Sequence, residues 1–338
     1  MSTIMIAYIR PYNGELSLVK EQLGTHEVVT STCVWDLDEE ARSQVEVLSV
    51  FVDYQVTTDV LDMLPNLKMI AARSAGYDHI AVAEAQQRGI VVSRVPHYGA
   101  RTVAEYAFAL MFALSRNVYR SYSDMQRNVS VSGVDAYEGF DLFGKTLGVV
   151  GTGAIGRNVC EIARGIGMKV VAYDVSPDEA FAADLGLQYA ALDEVLAQAD
   201  IVTLHVPSIP ATHHLISAEK IQTMKAGSYL INTARGEIID TKALVRSVYE
   251  GHLAGAGLDV LEGEHSLREE AELLVEGAPD PALWETLIAD HALIDMPNVI
   301  VTPHIAFNTT EAKREITQTT LDNINAFVSG TPQNTITV

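Results

Sequence analysis

Short apolar runs alternate with stretches of helical period from the beginning of the chain onward. Thr3 to Ile9, His26 to Thr30, Val45 to Val52, Lys68 to Ala72 and Ile90 to Val92 read as buried strands, because their apolar residues run on where a half-exposed strand would alternate. The segments between them have helical spacing, and strand and helix in turn imply a parallel sheet covered on both faces. A long helical pattern from about Thr102 to Tyr119, with Ala104, Ala107, Phe108, Leu110, Met111 and Leu114, is expected to bridge to a second unit. There the pattern restarts, with strands predicted at Thr146–Val150, Lys169–Tyr173, Ile201–His205, Ser228–Asn232, Ala254–Asp259 and Asn298–Thr302. A final helix, about Thr310 to Val328, is expected to return to the first unit. The expectation is an α/β chain of two doubly wound parallel-sheet domains with a cleft between them, 1–99 plus 306–338 and 100–305.

Composition narrows what such a chain can do. With 338 residues, 48% hydrophobic and 20% charged, it has the make-up of a globular protein of about two domains of roughly 100–200 residues each. The balance of 23 basic and 44 acidic residues gives −21, and no basic stripe is present that could track phosphates, so nucleic acid is not an expected partner. An anion site must then come from local Arg side chains or backbone N–H groups. The only cysteines, Cys33 and Cys160, exclude a disulfide framework and a Cys-based zinc site. No apolar stretch reaches the ~18–20 residues that span a bilayer, and no secretion-signal layout opens the chain, so no membrane partner is expected and a cytoplasmic location is.

Gly151-Thr152-Gly153-Ala154-Ile155-Gly156 follows the predicted strand Leu147-Gly148-Val149-Val150 and opens a helix, and Asp174 closes the next strand. Gly151 suits a tight turn, Gly153 lets backbone approach a pyrophosphate, Gly156 allows close helix–strand packing, and the helix N-terminus offers donors and positive dipole. A glycine turn alone would be weak evidence. Strand, helix, second strand and terminal acid together point to a dinucleotide, and Asp174 followed by Val175, with no Arg to receive a 2′-phosphate, prefers NAD over NADP.

Ligands of an open parallel sheet sit beyond the carboxyl ends of its strands. Arg235, Glu264 and His304 fall just after three such ends. Singly, each has a bland reading: a turn arginine, one acid among many, a loop histidine. Jointly they are the parts for reducing a 2-keto acid beside a nicotinamide. Arg235 holds a carboxylate and polarises the carbonyl, His304 delivers a proton, and Glu264 orients the imidazole and favours its protonated form.

Thr233-Ala234-Arg235-Gly236, Gly257-Leu258-Asp259-Val260-Leu261-Glu262-Gly263-Glu264 and Thr302-Pro303-His304-Ile305-Ala306 resemble the D-isomer-specific 2-hydroxyacid dehydrogenases. So do Arg73-Ser74-Ala75-Gly76-Tyr77-Asp78 and Val95-Pro96-His97-Tyr98, and the resemblance is closest to the D-lactate dehydrogenases. It implies a flavodoxin-like substrate domain and a Rossmann NAD domain. It also implies Arg235, Glu264 and His304 as the catalytic set, with Ser74, Ala75, Gly76 and Tyr98 joining Arg235 in contact with substrate. For NAD it implies Thr102, Gly151, Gly153, Ala154, Ile155, Gly156, Asp174, His205, Val206, Pro207, Thr233, Ala234, Arg235, Asp259 and His304. Gly139 to Thr146, with the arm Tyr122 to Glu138, resembles the family's dimerisation region, so a homodimer is expected.

His205 and His97 are the rival proton donors, each without a carboxylate at a matching strand end, while His213-His214 reads as a solvated pair and His265 as a neighbour without a role. Pyruvate is the expected substrate, with hydroxypyruvate or glyoxylate reduction as the alternative. An NAD(H)-sensing corepressor-like protein is a third reading, disfavoured because it calls for a peptide groove and long disordered tails where only a few residues follow Gly330, and a cofactor-binding protein without activity is disfavoured by the intact Arg235, Glu264 and His304.

Overall fold

The computed structural model describes every residue except 1, 2, 13, 97, 128–132, 265, 266, 268–280 and 338. By its contacts the chain divides into two units, Met1–Gly99 with Thr309–Val338, and Ala100–Asn308. The second crossing thus lies at 308/309, where the sequence pattern places it at 305/306.

The smaller unit is built on five parallel strands, β1 (Met5–Ile9), β2 (Glu27–Ser31), β3 (Val45–Val50), β4 (Met69–Ala72) and β5 (Val91–Ser93), in the order β2-β1-β3-β4-β5. All five residues of β1 are buried, and its side chains alternate between two cores. Ala7 and Ile9 join one with Leu48, Ile70 and Val92, and Ile6 and Tyr8 join the other with Val19, Leu23, Leu321 and Ile324. That second core needs the last helix, Thr310–Val328, which starts on the Thr309 cap and packs beside the first helix, Glu15–Leu23.

The larger unit carries seven parallel strands: β6 (Thr146–Val150), β7 (Lys169–Tyr173), β8 (Gln188–Tyr189), β9 (Ile201–Leu204), β10 (Ser228–Asn232), β11 (Leu253–Leu258) and β12 (Val299–Val301). Their order, β12-β11-β10-β9-β6-β7-β8, reverses direction between β6 and β9. A doubly wound sheet opens its ligand crevice beyond the strand ends at such a reversal. Leu147 and Val149 face a core shared with the helices Ala100–Ser115 and Ala154–Gly165, and Val150 faces the opposite core with Leu204, Leu230 and Leu258.

Two elements differ from the sequence pattern. β8 is a two-residue edge strand, too short to register as an apolar run. The single helix expected over Thr102–Tyr119 is two helices, Ala100–Ser115 and Val118–Gln126. Asn117 breaks it by taking a left-handed conformation (φ 51°) and donating from Nδ2 to the Glu138 carbonyl at 3.0 Å.

Candidate active site

Gly151 leaves β6 at φ 94°, and a Cβ there would lie 2.7 Å from the His205 carbonyl oxygen and 2.8 Å from Val206 Cγ1. The ends of β6 and β9 therefore meet at the reversal point only because residue 151 has no side chain. Gly156 allows the helix Ala154–Gly165 to press on the Gly151 carbonyl. A Cβ on Gly153, by contrast, would meet nothing within 4 Å, so the backbone at the start of this twelve-residue helix lies open.

Asp174 sits after β7 with both oxygens engaged. Oδ2 accepts from Thr152 N (2.7 Å) and Oγ1 (2.9 Å), and Oδ1 accepts from Ser176 N (2.9 Å). Partial burial works against its charge, but these hydrogen bonds prevail and hold the carboxyl below the usual Asp range. Thr152 also meets the Tyr189 hydroxyl at 2.8 Å, so the short edge strand β8 braces Asp174 through Thr152. Val175, the next residue, is 89% exposed.

These residues fit a dinucleotide. The glycine loop supplies an open cradle and a helix N-terminus. At the ends of β9 and β10, His205 Nδ1 and Thr233 Oγ1 are buried without a hydrogen-bond partner among the described residues, which is costly unless a ligand supplies one.

β10 ends in Asn232, which builds the loop after it: its Oδ1 accepts Ala234 N–H at 3.0 Å and its Nδ2 donates to the Arg235 carbonyl at 2.8 Å. Arg235 Nη1 donates to the Ala234 carbonyl at 2.8 Å. A Cβ on Gly236 would lie 2.1–2.3 Å from Leu261 and Glu262 backbone atoms, so this glycine lets the Arg235 loop lie against the loop bearing Glu264. Asn232 and Gly236 were not singled out in the sequence, although an amide ending a strand and a glycine after an arginine are both visible there.

Asp259 ends β11 fully buried. Oδ1 accepts Thr302 Oγ1 (2.5 Å) and Ile305 N (3.0 Å), Oδ2 accepts Ala306 N (2.7 Å), and its carbonyl accepts His304 N (2.8 Å). Burial outweighs these bonds and raises the carboxyl above the usual range. The resemblance assigned Asp259 to the nicotinamide; in this geometry both oxygens hold the 302–306 segment. That segment needs holding, because His304 lies at φ 55°, a left-handed conformation that costs a non-glycine residue roughly 1–2 kcal/mol. The outcome is a contact at 2.8 Å between His304 Nδ1 and Glu264 Oε1, both side chains about one-fifth exposed or less. Nε2 is then the ring nitrogen available for proton transfer.

His205 is no rival donor. Its Nδ1 is buried, Nε2 meets Thr203 Oγ1 at 2.9 Å, and desolvation pushes its pKa down to about 3, so it is neutral at working pH. His97 and His265 lie outside the described residues. His213 and His214 stack at 4.0 Å, and His214 Nε2 meets Glu262 Oε1 at 2.7 Å, so that pair is anchored where full solvation was expected. Among the described residues no group of three or more His, Cys, Asp or Glu could hold a metal ion, and no helix is long and apolar enough to cross a membrane.

In the smaller unit, Ser74 is buried and its hydroxyl donates to the Gly76 carbonyl at 2.7 Å, while Arg94 Nη1 donates to the Ala75 carbonyl at 3.1 Å. Tyr98 stands half-buried ahead of the helix on which Thr102 occupies the first turn. The loop is anchored by a pair that sequence reading missed. Arg73, fully buried after β4, meets Glu15 Oε2 at 3.2 Å, and Glu15 also accepts from Tyr8, Tyr12 N and Thr317.

The family model for the NAD-binding domain of D-isomer specific 2-hydroxyacid dehydrogenases matches residues 108–306. The chain is 36% identical over 314 residues to 2-hydroxyacid dehydrogenase homolog 1 of Schizosaccharomyces pombe, covering 92% of this chain and 90% of that one. It is 34% identical to the glycerate dehydrogenase of Methylorubrum extorquens over 94% of both chains. The crystal structure of D-lactate dehydrogenase from Aquifex aeolicus complexed with NAD and lactic acid superposes with a TM-score of 0.84 at 35% identity, covering 97% of this chain and 96% of that one.

Proposed function

The chain belongs to the D-isomer-specific 2-hydroxyacid dehydrogenases, NAD-dependent oxidoreductases, and we propose that within this family its reaction is the reduction of pyruvate to D-lactate. The observation that carries this reading is the His304–Glu264 contact, on a loop against which the Arg235 loop is packed. Bound NADH supplies the hydride. Gly151, Gly153, Ala154, Ile155, Gly156 and Asp174 would hold its adenosine and pyrophosphate, and His205, Val206, Pro207, Thr233, Ala234 and Thr102 its nicotinamide half. Arg235 pairs its guanidinium with the substrate carboxylate and polarises the carbonyl. His304, oriented through Nδ1 by Glu264, gives the Nε2 proton to the carbonyl oxygen as the carbon is reduced, and takes a proton back from solvent. The loop Ser74-Ala75-Gly76 offers backbone N–H groups suited to a carboxylate, and Tyr98 is assigned a substrate contact by the same resemblance.

Reduction of hydroxypyruvate to D-glycerate is the second reading, favoured by the similarity to a glycerate dehydrogenase. NADH oxidation across pyruvate, hydroxypyruvate, glyoxylate and oxaloacetate, with chiral analysis of the product, separates the two. Fast conversion of pyruvate to the D-product supports the first reading, and a preference for hydroxypyruvate replaces it. Replacing His304 with Gln should reduce turnover by about 10²–10⁴-fold while NADH still binds. We also propose that the protein is a homodimer through the helix Val118–Gln126, which exposes Val118, Tyr119, Tyr122 and Met125 by half or more. A monomer mass in sedimentation at micromolar concentration would exclude it.

A further inference from the structure

The reaction above leaves one buried acid of the larger unit without a task. Asp290, on the helix Pro281–Asp295, has no exposed surface. Its Oδ2 accepts the Gly263 N–H at 2.9 Å, while Oδ1 is buried with no hydrogen-bond partner among the described residues. A Cβ on residue 263 would lie 2.6 Å from that Oδ2, so glycine is what lets the carboxyl reach the backbone. The next residue is Glu264, whose Oε1 holds His304.

The charged groups around Asp290 come from two elements. The loop after β11 brings Glu262 and Glu264, and its own helix brings His291. Glu262 in turn holds His214, so each of the two loop carboxylates carries a histidine.

We propose that Asp290 is a positioning residue for proton transfer: it fixes residue 263 so that Glu264 meets His304. The proposal rests on the reading of His304 as the proton carrier. Burial, reinforced by Glu262 and Glu264 and opposed by the Gly263 hydrogen bond and by His291, pushes the Asp290 carboxyl up to about 7.

Three variants test the contact. Asp290→Ala removes the acceptor of the Gly263 N–H, Asp290→Asn keeps the volume and an acceptor for it, and Gly263→Ala drives the carboxyl off the backbone. Asp290→Ala should lower kcat by about 10²-fold with little change in KM, and Asp290→Asn should restore most of that loss. Gly263→Ala should likewise lower kcat more than it changes KM, because Glu264 is displaced. A parental kcat in Asp290→Ala, or no recovery in Asp290→Asn, overturns the proposal. Should Asp290→Ala fail to fold, an unchanged kcat in Gly263→Ala overturns it instead. If the parent reduces no 2-keto acid yet the His304 ring signals, identified in NMR by their loss in His304→Gln, still move in Gly263→Ala, the dehydrogenase reading fails and the positioning of Glu264 stands.

Discussion

Asp259→Ala removes the acceptor that shapes the 302–306 loop, and its cost follows from the three hydrogen bonds that end on that carboxylate. The Ala306 N–H is buried and would be left unpaired, at about 1–3 kcal/mol. The Thr302 hydroxyl and the Ile305 N–H are partly exposed and can recruit water, so each loses about 0.5–1.5 kcal/mol. Against this, His304 is freed from its left-handed conformation, recovering about 1–2 kcal/mol. A buried carboxylate whose charge is disfavoured also disappears. The losses of about 2–6 kcal/mol less the recovery centre the net cost on about 2–3 kcal/mol, and Asp259→Asn, which keeps one accepting oxygen, should lose about half as much. The chain's two tryptophans, Trp35 and Trp284, fall one in each unit, so in a Trp35→Phe background the fluorescence of Trp284 follows urea unfolding of the larger unit alone. Turnover measured in parallel should fall at least ~10²-fold, since a misplacement of about 1 Å is worth that much. A stability loss below ~1 kcal/mol, or a parental kcat, would refute the claim that Asp259 is what holds His304 in place.

Three further outcomes follow from the same reasoning. Arg73→Met strands Glu15 in the core and should destabilise the smaller unit by about 3–5 kcal/mol. Pairing it with Glu15→Gln should recover much of that loss in a double-mutant cycle read by Trp35. The Asp290 carboxyl, at about 7 in the folded chain against an ordinary ~4, favours the folded state fully below pH ~4. That contribution is lost as pH rises through 7, so Asp290→Asn should remove on the order of 4 kcal/mol of the parent's decline between those values, measured by urea midpoints. Asp174→Ala should weaken NADH binding by roughly tenfold and narrow the preference over NADPH, checked by fluorescence titration with both coenzymes.

The architecture was legible because a parallel sheet buried on both faces turns its strands into continuous apolar runs, as all of β1 shows. What escaped was short or interrupted: β8 with two residues, and the break at Asn117. Within the larger unit, the ends of β10, β11 and β12 bring the loops of Arg235, Glu264 and His304 together, as the order of strands in a doubly wound sheet dictates. Asp290 and Glu15 were hidden by their type, since an acid in a chain of net charge −21 reads as surface. Spacing held the signal. Glu15 stands four and eight residues before the buried Val19 and Leu23, and Asp290 lies three residues from both Leu287 and Leu293, so each acid occupies the apolar stripe of its helix.

The last helix gives the chain an inverted order of assembly during synthesis. Thr317 hydrogen-bonds Glu15 across 302 residues, Ile336 N reaches the Val92 carbonyl, and Leu321 and Ile324 close the core beside β1. A ribosome adding about 5–20 residues per second releases the complete 100–308 segment while the N-terminal sheet still lacks one of its covering helices. The first unit to emerge is thus the last to close. The nascent N-terminus spends that interval with Glu15 lacking its Thr317 partner and with an apolar face uncovered.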